Sequence, residues 1–279
     1  MQTLFPSDKK GGLKTIKKLS LPLKSLRNTR GVSSVISTII ITGALMVILL
    51  IASFVATNVL SLQLSSTEFE IAKKNMLVID STIQDVALRL GSSSFVQFNM
   101  QAGGIGISQP KTETFQITVS EGPLLTTPLS LTTYDLIYRA PTQTSAAAII
   151  LRGNETIRDS SAITTSQPQG YIEVYHNEGA KIKLEYDRVK VIEVGRIDDQ
   201  TNLVEIKIIT IEKGDTTGSG VVNVRLQNTN METYSYSTSL VEDEQVIFDY
   251  ADKQTTLNFN LIGETVFLVT VITIQVNIT

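Results

Sequence analysis

The spacing of apolar residues changes twice along this chain, and each change marks a boundary between elements. From Gly31 to Thr67 no residue is charged, and apolar side chains dominate 35–41 and 45–51. Hydrophobicity of this length and density suits a bilayer. A helix over residues 31–67 would extend roughly 55 Å at about 1.5 Å per residue, longer than a hydrocarbon layer of about 30 Å. From Phe69 the pattern becomes amphipathic: Phe69, Ala72, Met76, Ile79, Ile83, Val86 and Leu90 follow at alternating steps of three and four. That is one stripe of a helix. Glu68, Glu70, Lys73, Lys74, Asp80, Gln84, Asp85 and Arg89 fall between. The spacing predicts a helix from Ser33 to Leu90, ended by Gly91. Its stripe either packs on the chain's own remaining domain or forms a coiled coil with another copy.

Beyond Gly91 the period falls to two. Tyr171–Tyr175 and Ala180–Tyr186 flank His176-Asn177-Glu178-Gly179, a hairpin signal, and Val189–Val194 and Leu203–Ile211 flank a second polar turn. Val222, Val224 and Leu226 alternate with polar residues, as do Leu257, Phe259 and Leu261. Val266–Ile274 is too short for a spanning helix. Leu268, Ile272, Ile274, Val276 and Ile278 share one face, which predicts a buried strand, or more sharply a strand given to another subunit. The fold class is α+β: a long N-terminal hydrophobic and amphipathic helix followed by an antiparallel β-sandwich-like domain. Residues 1–31 form a basic leader, 32–91 the helix, and 92–279 the β-rich domain.

Charge sharpens this division. Residues 1–30 hold eight lysines and arginines against Asp8 alone, whereas the other 249 residues hold 16 basic and 26 acidic side chains. Positive charge before the first span predicts a cytoplasmic N-terminus and an external body. The acidic body suits no phosphate backbone, which argues against a nucleic-acid partner. With 279 residues there is enough chain for a substantial core.

The chemistry-bearing residues are few. Absence of cysteine removes disulfides, thiolate metal sites and cysteine nucleophiles. His176 sits in a turn without a Gly-x-Ser-x-Gly elbow. Gly103-Gly104-Ile105-Gly106 lacks phosphate-loop spacing and reads as a loop or interrupted strand. Glu242-Asp243-Glu244 and Asp198-Asp199 lack the oxygen-ligand spacing of a calcium loop and read as solvated acidic turns. The expectation is therefore a protein without catalytic residues, metal or cofactor. Asn154-Glu155-Thr156 and Asn277-Ile278-Thr279 are glycosylation sequons. Asn154, beside Gly153 in a loop, is the better acceptor.

Cleavage sites after the apolar run are poor, with Phe54 or Leu50 where a small residue is needed. Before the run, Arg30-Gly31-Val32-Ser33 joins the charged leader directly to the helix. This junction resembles the class III signal of archaeal type IV pilin-like proteins, with the firm similarity confined to residues 27–65. The resemblance implies a prepilin peptidase partner cutting between Gly31 and Val32, and a helix that first anchors in the membrane and later packs among pilin-like subunits in a surface filament. Ser34 stands where many archaeal pilins have proline, and Ile36 replaces the glutamate of bacterial pilins. Without that carboxylate the bacterial mode of subunit docking does not carry over. The alternatives are an uncleaved single-pass anchor and, as a function class, a non-polymerising surface-binding protein or one resembling archaellum stators.

Overall fold

A computed structural model describes residues 34–101, 103–198, 201–218 and 220–279. Arg30, Gly31, Val32 and Ser33 lie outside the described residues. The element order is α1 (Ser34–Val86), β1 (Ser93–Met100), β2 (Gly104–Ile107), β3 (Lys111–Val119), β4 (Gly122–Pro123), β5 (Leu129–Thr133), β6 (Leu136–Arg139) and β7 (Ile149–Arg152). There follow α2 (Glu155–Arg158), β8 (Ala162–Ile163), β9 (Tyr171–His176), β10 (Ala180–Glu185), β11 (Val189–Arg196) and β12 (Thr201–Thr216). The last four are β13 (Gly220–Leu240), β14 (Glu244–Tyr250), β15 (Lys253–Phe259) and β16 (Gly263–Ile278). The chain separates into two compact units, one ending at Phe54 and the other spanning Val55–Thr279.

The first unit contributes the start of α1, whose described side chains from Val35 to Phe54 are all exposed. Among the described residues one helix, Val35–Val86, is long and apolar enough to cross a membrane, with a mean hydropathy of 2.8 over its best window.

In the second unit the strands form three sheets. The main sheet has the order β1-β13-β16-β12-β11-β8, the second β2-β6-β10-β9-β7, and the third β15-β14-β3-β4 with β5 also pairing β3. Both hairpins expected from the turn signals are present, β9 with β10 and β11 with β12. Pairing is antiparallel except where β12 runs parallel to β16 and β8 to β11. The apolar run at 266–274 belongs to β16, which is paired on both edges within this chain, by β12 and β13.

β12, β16 and β13 form a spine that serves two cores on opposite faces. Ile209 and Ile211 of β12, Ile272–Ile278 of β16 at alternate positions, and Val222, Val224 and Leu226 of β13 join the core that contains α1 and the second sheet. Nearer their other ends, Val204, Ile206 and Ile208 together with Phe267, Val269 and Val271 face the opposite way, into a core shared with Phe115, Phe248 and Phe259 of the third sheet. The even-numbered face of β16 agrees with the alternation from Ile272 to Ile278, whereas Leu268, expected on the same buried face, is half-buried and outside both cores because there the odd face turns inward. The burial of the odd face at 267–271 explains why the run reads as continuously apolar.

The α1 stripe is also a packing surface. Phe69, Ala72, Met76, Ile79, Ile83 and Val86 are buried in the first core beside Leu136, Tyr138, Ile182 and Tyr186. Burial of each large apolar side chain contributes about 1.5–3 kcal/mol. Leu90 corrects the expected stripe: it is 62% exposed and lies beyond the helix, which stops at Val86. Ala87 takes the last core position instead. The reason is local capping. Ser92 Oγ donates to the carbonyls of Val86 at 2.6 Å and Arg89 at 2.7 Å, and Asn228 Nδ2 of β13 donates to the Val86 carbonyl at 3.4 Å. These bonds satisfy carbonyls that a further helical turn would have used. Gly91 then takes φ +79°, and its N–H donates to the Asn228 carbonyl.

Candidate functional site

Two features carry functional weight: the apolar stretch of α1, and the polar latch that fixes the later part of that helix to the β-domain. Every side chain from Val35 to Leu64 is exposed, none is charged, and Ile48, Leu49, Leu50 and Phe54 each show 60% or more of their surface. An apolar surface of this extent marks a contact with lipid or protein.

The latch begins one turn later. Glu68 Oε1 accepts hydrogen bonds from Tyr138 Oη at 2.9 Å and from the Gly103 N–H at 3.0 Å. Burial, then the neighbouring Glu68 carboxylate, pushes the Tyr138 phenol up and keeps it a donor. Phe69 packs its ring against Tyr138, with Lys73 Nζ above the Phe69 face. Further along, Asp80 is completely buried. It accepts from Tyr186 Oη at 2.6 Å and Gln84 Nε2 at 3.0 Å, and pairs with Arg152 Nε at 3.0 Å. Burial and the Asp80 charge raise the Tyr186 phenol well above its ordinary range. A Cβ at Gly170 would overlap Asp80 Oδ1. This glycine therefore admits the carboxylate between helix and sheet. Asp80 falls four residues after Met76, on the buried stripe; that position was the available signal for a paired internal charge.

A second buried polar cluster joins the second and third sheets. Lys111 at the start of β3 donates to Asp135 at 2.9 Å and Asp187 at 3.0 Å. Glu185 pairs with Arg188 at 2.9 Å and Lys183 at 2.8 Å, with Lys253 at 4.0 Å. Burial works to lower Lys111, but its bonds and charge interactions with Asp135 and Asp187 prevail and raise it. Burial raises Asp135 against the pull of Lys111. Burial also works to raise Glu185, yet Lys183 and then Arg188 hold it below the usual carboxylate range. Asp135, Glu185 and Asp187 offer oxygens within 4.8 Å of one another, the spacing of a metal site. Lys111 already sits against two of them, and Lys183, Arg188 and Lys253 surround the third, so that the three carboxylates are countered by cations of the chain itself. The arrangement works as an internal ion-pair network that ties the sheets together. Sequence reading missed it because its members come from four separate segments, around 111, 135, 183–188 and 253.

The remaining candidates are dispersed. His176 is exposed at the end of β9, and Gly104–Ile107 forms β2. Glu242 and Asp243 are exposed in the turn after β13. Glu244 departs from the solvated-turn reading: it is buried and its Oε1 accepts the Ser120 N–H at 3.0 Å. Asn154 is exposed as the N-cap of α2, its Oδ1 accepting from the Ile157 N–H at 2.8 Å. Asn277 is held inside β16, where its Oδ1 accepts the Asp215 N–H at 2.9 Å. Of the two sequons, Asn154 is thus the more accessible. An open cleft past the end of α1 is lined by Leu88, Met231 and Leu268 with Lys190, Glu205 and Lys207.

No protein-family model, curated protein or solved structure matches this chain.

Proposed function

We propose that this protein is a pilin-like structural or minor subunit of an archaeal type IV filament, held in the membrane by α1 before assembly. The observation that carries the reading is the uncharged, exposed apolar surface from Val35 to Leu64 on the same helix as a stripe buried in a β-domain. A membrane anchor accounts for such a surface. A filament core of packed helices accounts for it after extraction, since each copy's apolar side chains would cover another's. The latch at Glu68 and Asp80 supports this division of labour: it ties the helix to its own β-domain, so a pull on one is carried to the other. The buried charges serve packing, which favours a structural role over a catalytic one.

The basic leader stays on the cytoplasmic side in this reading, the β-domain lies outside, and prepilin peptidase cuts after Gly31. N-terminal sequencing of the protein from native membranes should give Val32 as the first residue. Replacement of Gly31 by leucine should leave a longer precursor that still inserts. An intact Met1 start, or a new terminus beyond the apolar run, removes the pilin reading. Imaging of purified surface filaments, with identification of their subunits, then separates the two function classes. Presence in filaments supports the subunit reading. Retention in membranes with consistent absence from filaments supports a non-polymerising anchored surface or stator-like protein.

A further inference from the structure

Among the described residues β13 is the longest strand, and its two edges are used unequally. One edge pairs with β16 from Val224 to Leu240. On the other, β1 covers only Gly220 to Gln227, and Gly91 and Ser92 bond Asn228. From Thr229 to Leu240 no strand among the described residues pairs with the outer edge. The register irregularity between Asn228 and Asn230 separates the covered half from the open half.

Sheets usually protect such an edge by keeping it short or by placing lysine or proline on it. β1, at the same end of the sheet, is met by an α1 side chain, with Asn75 Nδ2 donating to the Gln97 carbonyl. The open half of β13 has none of these defences. It reads Thr-Asn-Met-Glu-Thr-Tyr-Ser-Tyr-Ser-Thr-Ser-Leu, with Glu232 as its one charge and neither proline nor glycine. Glu232 is itself engaged by Asn230 at 2.9 Å and by Tyr234 at 2.6 Å. Thr233, Ser235, Ser237 and Ser239 are exposed.

We propose that this edge pairs antiparallel with the same edge of a second copy, about a twofold axis at Ser235, joining two main sheets into one. Symmetry restricts the register. Side chains opposed across an antiparallel pair lie on the same face, and a twofold axis normal to the sheet preserves faces. The residue numbers of each pair must then sum to an even value. With Ser235 opposite its own copy, Thr233 faces Ser237, Tyr234 faces Tyr236, Glu232 faces Thr238 and Asn230 faces Leu240. Tyrosine meets tyrosine, a favourable cross-strand pair, and the two glutamates never oppose each other. Asn228, where the covered half begins, falls opposite residue 242 of the second copy, past the end of its strand. Both open halves are filled and neither copy displaces β1. This fit of one segment to itself in length, charge and side-chain pairing favours a second copy over a foreign strand, and it is independent of the filament or anchor reading.

The full chain in detergent tests the proposal, and its lack of cysteine makes single-cysteine labelling clean. Both kinds of antiparallel pair, at about 4.5 or 5.5 Å between Cα atoms, fall in the range a disulfide spans. Ser235→Cys should therefore give a disulfide-linked dimer on mild oxidation, and Ser166→Cys, exposed in a distant loop, should not. Ser235→Lys sets two like charges face to face and should weaken dimerisation about fivefold, as should Ser235→Asp. A mixture of the two variants should restore a heterodimer. Because position 235 is exposed, these changes leave the fold intact, which an unchanged thermal unfolding curve checks. A monomer at all concentrations, cross-linking no greater at 235 than at 166, or a dimer indifferent to Ser235→Lys would overturn the proposal. The last outcome would assign association to the apolar helix or to another surface.

Discussion

Residues 35–64 and residues 65–86 of α1 share one backbone conformation and differ in what covers them. In the first stretch side chains are apolar nearly all round and exposed; in the second one stripe is apolar and buried, and the remainder is mostly polar, with Ile71 and Val78 exposed among it. Helix formation is thus indifferent to the boundary, while side-chain chemistry assigns each part its surroundings. The lesson is that a continuous helix is a poor guide to a continuous environment. The same substitution in the two stretches should report on different properties.

The largest expected effect lies in the buried stretch. Ile79→Ala should cost about 2–5 kcal/mol of β-domain stability, as a fully buried side chain is cut back without room to collapse. Ile48→Ala should leave that stability unchanged. Chemical denaturation followed by tyrosine fluorescence would check both. Equal effects at the two positions would erase the distinction between the stretches.

A charge in the exposed stretch reverses the pattern. Ile48→Asp should add about 2.5–3.5 kcal/mol to the cost of membrane insertion with no change in the β-domain's denaturation curve. Membrane fractionation gives the first readout and filament incorporation the second. Normal filament incorporation would argue against a buried place for this stretch.

The latch tests how firmly the second stretch is held. Gly170→Ala should destabilise the β-domain by about 1–3 kcal/mol through overpacking against Asp80. Combined with Asp80→Ala, the loss should be less than the sum of the two, because removal of the carboxylate makes room for the new methyl. Strict additivity in the double-mutant cycle would place Gly170 and Asp80 in separate roles.

The smallest effect is expected at Leu90. Its replacement by alanine should stay within about 0.5 kcal/mol, as at other exposed sites, whereas Val86→Ala one turn earlier should exceed it. A large loss at Leu90 would return that residue to the stripe.

These contrasts also explain how far the sequence was legible. Steps of three and four identified six buried stripe residues because a helix turns its environment into a local period. The two hairpins were legible for the same reason, with each strand and its partner only a turn apart. Leu90 continued the period, but the period carries no trace of Ser92 and Asn228, which end the helix through contacts made from outside it. The parallel pairing of β12 with β16 joins residues about sixty positions apart, and such pairing leaves no mark in a short window. β16 was read from one face since the long run does not reveal that a strand can serve one core with each face in turn. Asp80 was counted among the polar residues although it lies on the stripe; its partners Tyr186 and Arg152 are distant in the chain.

The meeting of α1 with β16 has a consequence for the order in which the protein is made. Ile79 and Ile83 emerge from the ribosome early, yet Ile272, Ile274, Val276 and Ile278, which close the same core, emerge near the end of the described chain. Until then the stripe has no finished seat, and contacts between such distant residues form slowly. The apolar stretch just before it has also left the ribosome throughout that interval. Under the anchor reading proposed above, delivery to the bilayer would therefore precede completion of the core, leaving the β-domain to fold after its tether is in place.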